Sequence, residues 1–188
     1  MPRALSRRSA ALRPAGCVLA LAALAAASLC LGRYPSPGFA LPPLGDEVGA
    51  RLFWLLRVPR VLSALLLGAG LAASGSVLQM LFRNPLVEPG FLGVSQGAAL
   101  GAGAAMLLGA GACGVQVAAA VAAMGGLALA YGLATRIRYG GWILRLLLAG
   151  LAVSALFSAG MSLLKAVADP LKTLPDLTFW LMGGLGTA

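Results

Sequence analysis

Residues 57–101 read RVPRVLSALLLGAGLAASGSVLQMLFRNPLVEPGFLGVSQGAALG. Two arginines, Arg57 and Arg60, bracket Pro59, and an uncharged span rich in glycine and alanine then runs to Phe82. A polar hinge follows, Arg83-Asn84-Pro85-Leu86-Val87-Glu88-Pro89-Gly90, and a second apolar span begins at once with Phe91. Pro85 and Pro89 forbid continuous helix and fix a turn. Asn84 can satisfy backbone groups that the break sets free. Two apolar spans joined by a stiff elbow describe a hairpin of membrane helices.

The rest of the chain supports that reading. Of 188 residues, 60% are hydrophobic and 10% are charged, too little charge to cover the surface of a soluble domain of this length. A stretch of about 20 apolar residues crosses the hydrocarbon core, and about five such stretches can be marked out. They are expected at 15–31, 61–82, 91–109, 115–134 and 143–164, after a basic tail at 1–14. The stretch 177–185 is too short to cross, and reads as a re-entrant or interfacial piece or the start of a further helix. The loop from Gly32 to about Trp54 is proline-rich in its first part, and Phe53, Trp54, Leu55 and Leu56 read as interfacial. Arg3, Arg7, Arg8 and Arg13 before an apolar run look like a secretory leader, but membrane spans follow, so an uncleaved first helix is favoured. The net charge of +9 is not a nucleic-acid signature here, because the arginines sit at span ends and in loops.

Basic residues set the orientation. An inside N-terminus puts Arg3, Arg7, Arg8, Arg13, Arg83, Arg136, Arg138 and Arg145 in the cytoplasm. Arg33, Arg51, Arg57, Arg60, Lys165 and Lys172 then fall outside. The bias is small, and the tail and the short Arg136–Arg145 loop decide it. Arg57 and Arg60 break the rule and ask for a separate explanation.

Helices in lipid associate through close backbone approach at small residues. The second span carries Gly68, Ala72, Gly75, Ser76 and Gln79 along one stripe, the third opens with Gly97-xxx-Gly101, and the fifth carries Gly150, Ser154, Ser158 and Ser162. These read as packing surfaces, and the serine stripe also as a wall of a wet pathway.

Chemistry is excluded class by class. There is no glycine-rich phosphate loop followed by lysine. The acids Asp46, Glu47, Glu88, Asp169 and Asp176 fall in loops or at span ends, whereas ion-driven carriers usually keep one at mid-membrane depth. The chain has no histidine, and Cys17, Cys30 and Cys113 lack metal-ligand spacing. No catalytic residue and no metal site are expected. A conduit without an engine remains, driven by a partner or passive.

Several motifs together, in order and spacing, resemble the FecCD-type permeases, membrane subunits of ATP-binding-cassette importers for iron-siderophores, haem and vitamin B12. They are Arg57-Val58-Pro59-Arg60, Ser74-Gly75-Ser76-Val77-Leu78-Gln79, the run from Arg83 to Ala98, Leu146-Leu147-Leu148-Ala149-Gly150, and Phe179-Trp180-Leu181-Met182-Gly183-Gly184-Leu185. The resemblance implies an all-α polytopic bundle of the vitamin B12 permease type in the bacterial inner membrane. It implies that Arg57 and Arg60 dock a periplasmic or lipid-anchored substrate-binding protein. Asn84 and Leu86 are placed at a cytoplasmic gate, with Ile143 and Leu144 at its second constriction. There the bulky apolar pair departs from the small polar residues the family can hold. Ser154 and Ser158 are expected along the translocation path, and Pro85, Pro89 and Gly90 form the structural elbow. A second permease copy and a separate cytoplasmic ATPase, which binds the ATP and Mg, complete the implied assembly; this chain binds no cofactor.

Family members run to about twice this length, so the chain resembles an N-terminal half: truncated, disrupted or split. A secondary transporter or passive channel, a membrane scaffold and a non-functional fragment stay open as alternatives.

Overall fold

The computed structural model describes residues 3–32, 38–39 and 47–185, with side chains over 15–32 and 47–185. It is helical almost throughout. Helix α1 covers Arg3–Cys30, and two short antiparallel strands follow, β1 (Leu31–Gly32) and β2 (Gly38–Phe39), with Leu31 opposite Phe39. Then come α2 (Glu47–Leu52), α3 (Val58–Phe82), α4 (Val94–Leu107), α5 (Ala112–Arg136), α6 (Trp142–Val167) and α7 (Thr173–Met182). Two compact units are distinguished, Met1–Ala69 with Leu185–Ala188, and Gly70–Gly184.

In the first unit the helix starts earlier than the composition suggests. The basic stretch expected as a tail is already helical from Arg3. Of the expected loop, residues 33–37 and 40–46, with Arg33 and Asp46, lie outside the described residues. Its last part is not loop: α2 begins at Glu47, an acid in the first turn where the helix dipole favours one. A π-helical turn, Phe53–Arg57, joins α2 to α3 without a break, so Trp54 sits in helix. The reason is Pro59. A proline inside an α-helix lacks its N–H and its ring meets the carbonyl four residues back. Here the turn before it is widened, and the Val58 N–H reaches back five residues to the Phe53 carbonyl.

The second unit is built on α4, α5 and α6, packed pairwise, with α7 against α4. Alanine and glycine let the backbones meet. A Cβ at Gly97 would lie 2.6 Å from the Ala122 carbonyl oxygen, and one at Gly101 would overlap the Ala118 carbonyl oxygen. A Cβ at Gly126 would stand 2.7 Å from the Gly93 oxygen, and one at Gly150 2.9 Å from the Phe91 oxygen. Ala102, Ala105, Val115 and Ala119 close the α4–α5 seam. Met161, Ala168 and Leu177 tie α6 to α7. Pro175 sits in the first turn of α7, where its missing N–H has no helical partner to lose.

Among the described residues three helical stretches are long and apolar enough to cross a membrane: Glu47–Phe82, Ala112–Arg136 and Trp142–Val167. The expected first and third spans are shorter as apolar helices, Ala15–Cys30 and Val94–Leu107. At 1.5 Å per residue α4 rises only about 21 Å. It loses both expected ends to turns at Gly93 (φ 81°) and Gly109 (φ 74°), left-handed backbone that glycine adopts without a Cβ clash. Of the 177–185 stretch, residues 177–182 form the end of the ten-residue α7, Thr173–Met182, and Gly183 to Leu185 lie past it. Leu62, Leu66, Leu67, Leu71, Val77 and Met80 of α3 are all exposed, an arrangement that lipid or neighbouring helices must cover.

Glycines of the seam are therefore distinguishable from glycines in open space. Gly101→Val is expected to destabilise the α4–α5 pair by about 1–3 kcal/mol, the usual penalty of overpacking. Gly132→Ala, with nothing within 4 Å of the added methyl, should be neutral or stabilising by up to about 1 kcal/mol. Thermal unfolding of both variants in detergent checks the contrast; equal losses would remove the packing account.

Candidate functional site

The elbow between α3 and α4 carries the densest polar bonding of the second unit. α3 ends in a left-handed cap. The Asn84 N–H bonds the Gln79 carbonyl at 3.2 Å and the Arg83 N–H bonds the Met80 carbonyl at 3.3 Å. This pairing is the Schellman pattern, and its left-handed position, usually glycine, is held by Arg83 at φ 48°. A side chain there carries a cost of roughly 1–2 kcal/mol. Asn84 Oδ1 accepts the Leu86 N–H at 3.0 Å, and the Val87 N–H bonds the Asn84 carbonyl at 3.4 Å. The Gln79 amide reaches over the break and donates to the carbonyls of Pro85, at 3.2 Å, and Val87, at 3.5 Å. The Phe91 N–H bonds the Glu88 carbonyl, and a Cβ at Gly90 would press on Ser95 Oγ. Pro89 lies beside Gly75 of α3.

Apolar contacts then place the elbow against α6. Val87 and Leu92 are buried with Phe82, Ala134, Leu146 and Ala149. Of the residues expected at the gate, none belongs to this cluster. Leu86 is 83% exposed, Ile143 37% and Leu144 51%. Asn84 and Leu86 share a hydrogen bond, and Ile143 and Leu144 lie in the first turn of α6. The structure thus brings the elbow and the start of α6 together through Val87, Leu92 and Leu146, leaves Leu86, Ile143 and Leu144 exposed, and half-buries Asn84.

The serine stripe behaves differently from a single wall. Gly150 is buried, Ser154 and Ser158 are half-buried, and Ser162 is exposed. Four-residue spacing drifts about 40° per step around a helix of 3.6 residues per turn, so the row winds from the packed side to the surface. The Ser162 hydroxyl donates to the Ser158 carbonyl at 3.0 Å. In the first unit Arg57 is half-buried, and its guanidinium donates to the Leu29 carbonyl in the last turn of α1 at 3.2 Å. A cation is favoured at such a helix end. Arg60 is exposed.

Two residues join the site without having been singled out for it. Gln79 was legible only as a member of the small-residue stripe; a lone amide one turn before a proline-broken elbow is the signal for its bridging role. Arg145 was legible only as a charge. It donates from its guanidinium to the Ile137 carbonyl at the end of α5, at 2.8 Å, and lies 5.8 Å from the Trp142 ring centroid. Trp142 meets Tyr131 edge-on at 5.6 Å. The Trp-x-x-Arg spacing places both side chains on one face of α6.

The model of the FecCD transport family matches residues 19–188. The chain belongs to the FecCD transport family. Among its relatives, the molybdate import system permease protein MolB of Haemophilus influenzae is 37% identical over 185 residues, covering 92% of this chain and 54% of MolB. The vitamin B12 import system permease protein BtuC of Escherichia coli is 43% identical over 161 residues, covering 85% of this chain and 48% of BtuC. A solved inward-facing structure, described as a metal-chelate type ABC transporter, superposes with a TM-score of 0.81 at 39% identity. It covers 92% of this chain and 53% of that one. This FecCD chain therefore spans about half the length of the curated relatives it matches, and its fold is that of the matching half of an ABC permease.

Removing the elbow's internal bonds should loosen it without unfolding the bundle. Asn84→Ala is expected to cost about 0.5–1.5 kcal/mol, the net worth of an intramolecular hydrogen bond. Amide exchange over residues 84–91 should quicken several-fold in Asn84→Ala and in Gln79→Leu, with α5 unchanged. Unaltered exchange in both variants would show that the bonds do not hold the turn.

Proposed function

We propose that this protein is a transmembrane permease subunit of an ATP-driven importer, working as a transport component and not as an enzyme. The carrying observation is the family match over residues 19–188. With it goes the folding of its most specific motif, Arg83 to Ala98, into a bonded elbow that leads into α4. Two copies enclose a path through the bacterial inner membrane, with the N-terminus in the cytoplasm. A separate cytoplasmic ATPase binds and hydrolyses ATP with Mg. A periplasmic or lipid-anchored binding protein delivers the cargo. The cargo is an iron-siderophore, haem or cobalamin, and the relative that imports molybdate adds an oxyanion to that range.

The residues divide the work. Asn84 and Leu86, with Ile143 and Leu144, form the cytoplasmic gate; the exposed apolar side chains of Leu86, Ile143 and Leu144 suit closure by exclusion of water. Ser154 and Ser158, half-buried at mid-helix, contribute hydroxyls to the path where the serine row leaves the core. Arg57 and Arg60 form the docking contact for the binding protein; Arg60 is exposed, and Arg57 also holds the end of α1. Rim charges of this kind act mainly on the rate and orientation of encounter.

Vesicles holding the full permease, its ATPase and its binding protein should accumulate cargo only while ATP is hydrolysed. Uptake that persists with a non-hydrolysable nucleotide would replace this reading with a passive channel or an ion-driven carrier. Arg60→Glu should slow capture of the binding protein roughly three- to tenfold at low salt, with the difference shrinking at high salt. Arg57→Glu should in addition lower the stability of the α1 end, seen as faster amide exchange near Leu29. Capture unchanged by Arg60→Glu at low salt would remove it from the docking rim.

A further inference from the structure

We propose that Arg145 is a positioning residue for the cytoplasmic gate: its guanidinium straps the first turn of α6 to the end of α5 and so holds Ile143 and Leu144 in place. This rests on the gate reading above. Arg145 stands against a local preference. It is the fourth residue of α6, where the positive end of the helix dipole disfavours a cation. Nor is its head released into water, as that of a snorkelling arginine is. The side chain is half-buried, and the guanidinium donates to the Ile137 carbonyl at 2.8 Å and lies 5.8 Å from the Trp142 ring centroid. Ile137 caps α5, so the bond lands on the carbonyl end of that helix, where a cation is favoured. The Arg145 Nε is buried and has no hydrogen-bond partner among the described residues. No acid stands in the sequence between Glu88 and Asp169 to pair with it locally. Desolvation of the head is thus answered only in part, which favours a role in placing the turn over one in stability alone.

What the strap holds is the turn that bears the gate pair. Leu146, the next residue, is buried with Val87 and Leu92 of the elbow and Ala134 of α5, so packing fixes α6 from Leu146 onward. Before Leu146, the turn is tied to α5 and its connection. Leu144 lies against Gly140, where an added Cβ would come 3.1 Å from the leucine Cδ2, and Trp142 meets Tyr131 edge-on at 5.6 Å. Arg145 supplies the directional tie. Its planar head can bond a carbonyl and face a ring at once, which a point charge such as lysine does less well. Loss of the strap leaves the core of α6 seated and frees the turn that carries Ile143 and Leu144.

Vesicles holding the full-length permease with its ATPase, loaded with radiolabelled mannitol and given no nucleotide, test the strap. Mannitol is small enough for any opened path and crosses lipid slowly. Efflux is read per folded permease, so a lower yield does not register. Arg145→Gln should raise it about fivefold over wild type, and Trp142→Leu about twofold. Arg138→Gln, which removes an exposed charge from the same connection, should leave it unchanged. Ile143→Ala combined with Leu144→Ala should leak by itself. Adding Arg145→Gln to that pair should raise the leak no further, because the strap acts through those two side chains. A leak from the alanine pair, with none from Arg145→Gln or Trp142→Leu, overturns the strap and leaves the gate standing. No leak from the alanine pair overturns both. Arg145→Gln that leaks as much again in the alanine background overturns the strap, and so does Arg138→Gln that leaks as much as Arg145→Gln. Where Arg145→Gln fails to fold, Trp142→Leu decides by the same criteria.

Discussion

Close approach of backbone to backbone between α4, α5 and α6 is the constraint on which the second unit depends. Inside a bilayer the lipid tails are as apolar as leucine, so helices gain little from hiding large side chains from one another. What is left is van der Waals contact, and it needs small residues. Gly97 and Gly101 face the Ala122 and Ala118 carbonyls, and Gly126 faces Gly93 at the start of α4. Gly150 faces the last residues of the elbow, Phe91 and Leu92. The elbow is thus seated on α6 by an absent side chain, and it inherits its position from the same packing that closes the bundle.

The elbow also solves a second difficulty. Two prolines remove donors and halt the helical ladder, leaving carbonyls that lipid cannot satisfy. Gln79 donates to the Pro85 and Val87 carbonyls, and Asn84 Oδ1 accepts the Leu86 N–H, so the turn is held from within.

Much of this was legible in the order of residues. Long uncharged runs locate α5 and α6 to within a few positions, and Asn84-Pro85 with Pro89-Gly90 announces the break after Phe82. Gly97-xxx-Gly101 announces a close seam, because little else explains that spacing in an apolar helix. Other features were hidden for physical reasons. The proline rule predicts a helix starting near Pro59, but a single widened turn absorbs the clash and the helix runs on from Glu47. The hydropathy of 91–109 cannot reveal that Gly93 and Gly109 adopt left-handed backbone and shorten α4. A row of serines four apart looks like one face until the helical drift is followed from Gly150 to Ser162. The roles of Gln79 and Arg145 depend on carbonyls brought near by the turn and by the α5–α6 connection, and no local pattern displays those.

Local choices that the described contacts do not offset are informative in the same way. A glycine within a helix weakens it by about 1 kcal/mol relative to alanine unless close packing makes up the loss. Gly97, Gly101, Gly126 and Gly150 have that packing, whereas Gly68 and Gly70 in α3 have nothing within 4 Å. Only 6% of the most apolar window of Glu47–Phe82 is buried, although the helix is apolar on all sides. A helix of that kind belongs in the interior of a bundle or in lipid, and its bare glycines favour the former, since lipid does not need them. Sequences that fold well agree with themselves at every level. α3 breaks that agreement among the described residues, and only lipid or a packed neighbour would restore it.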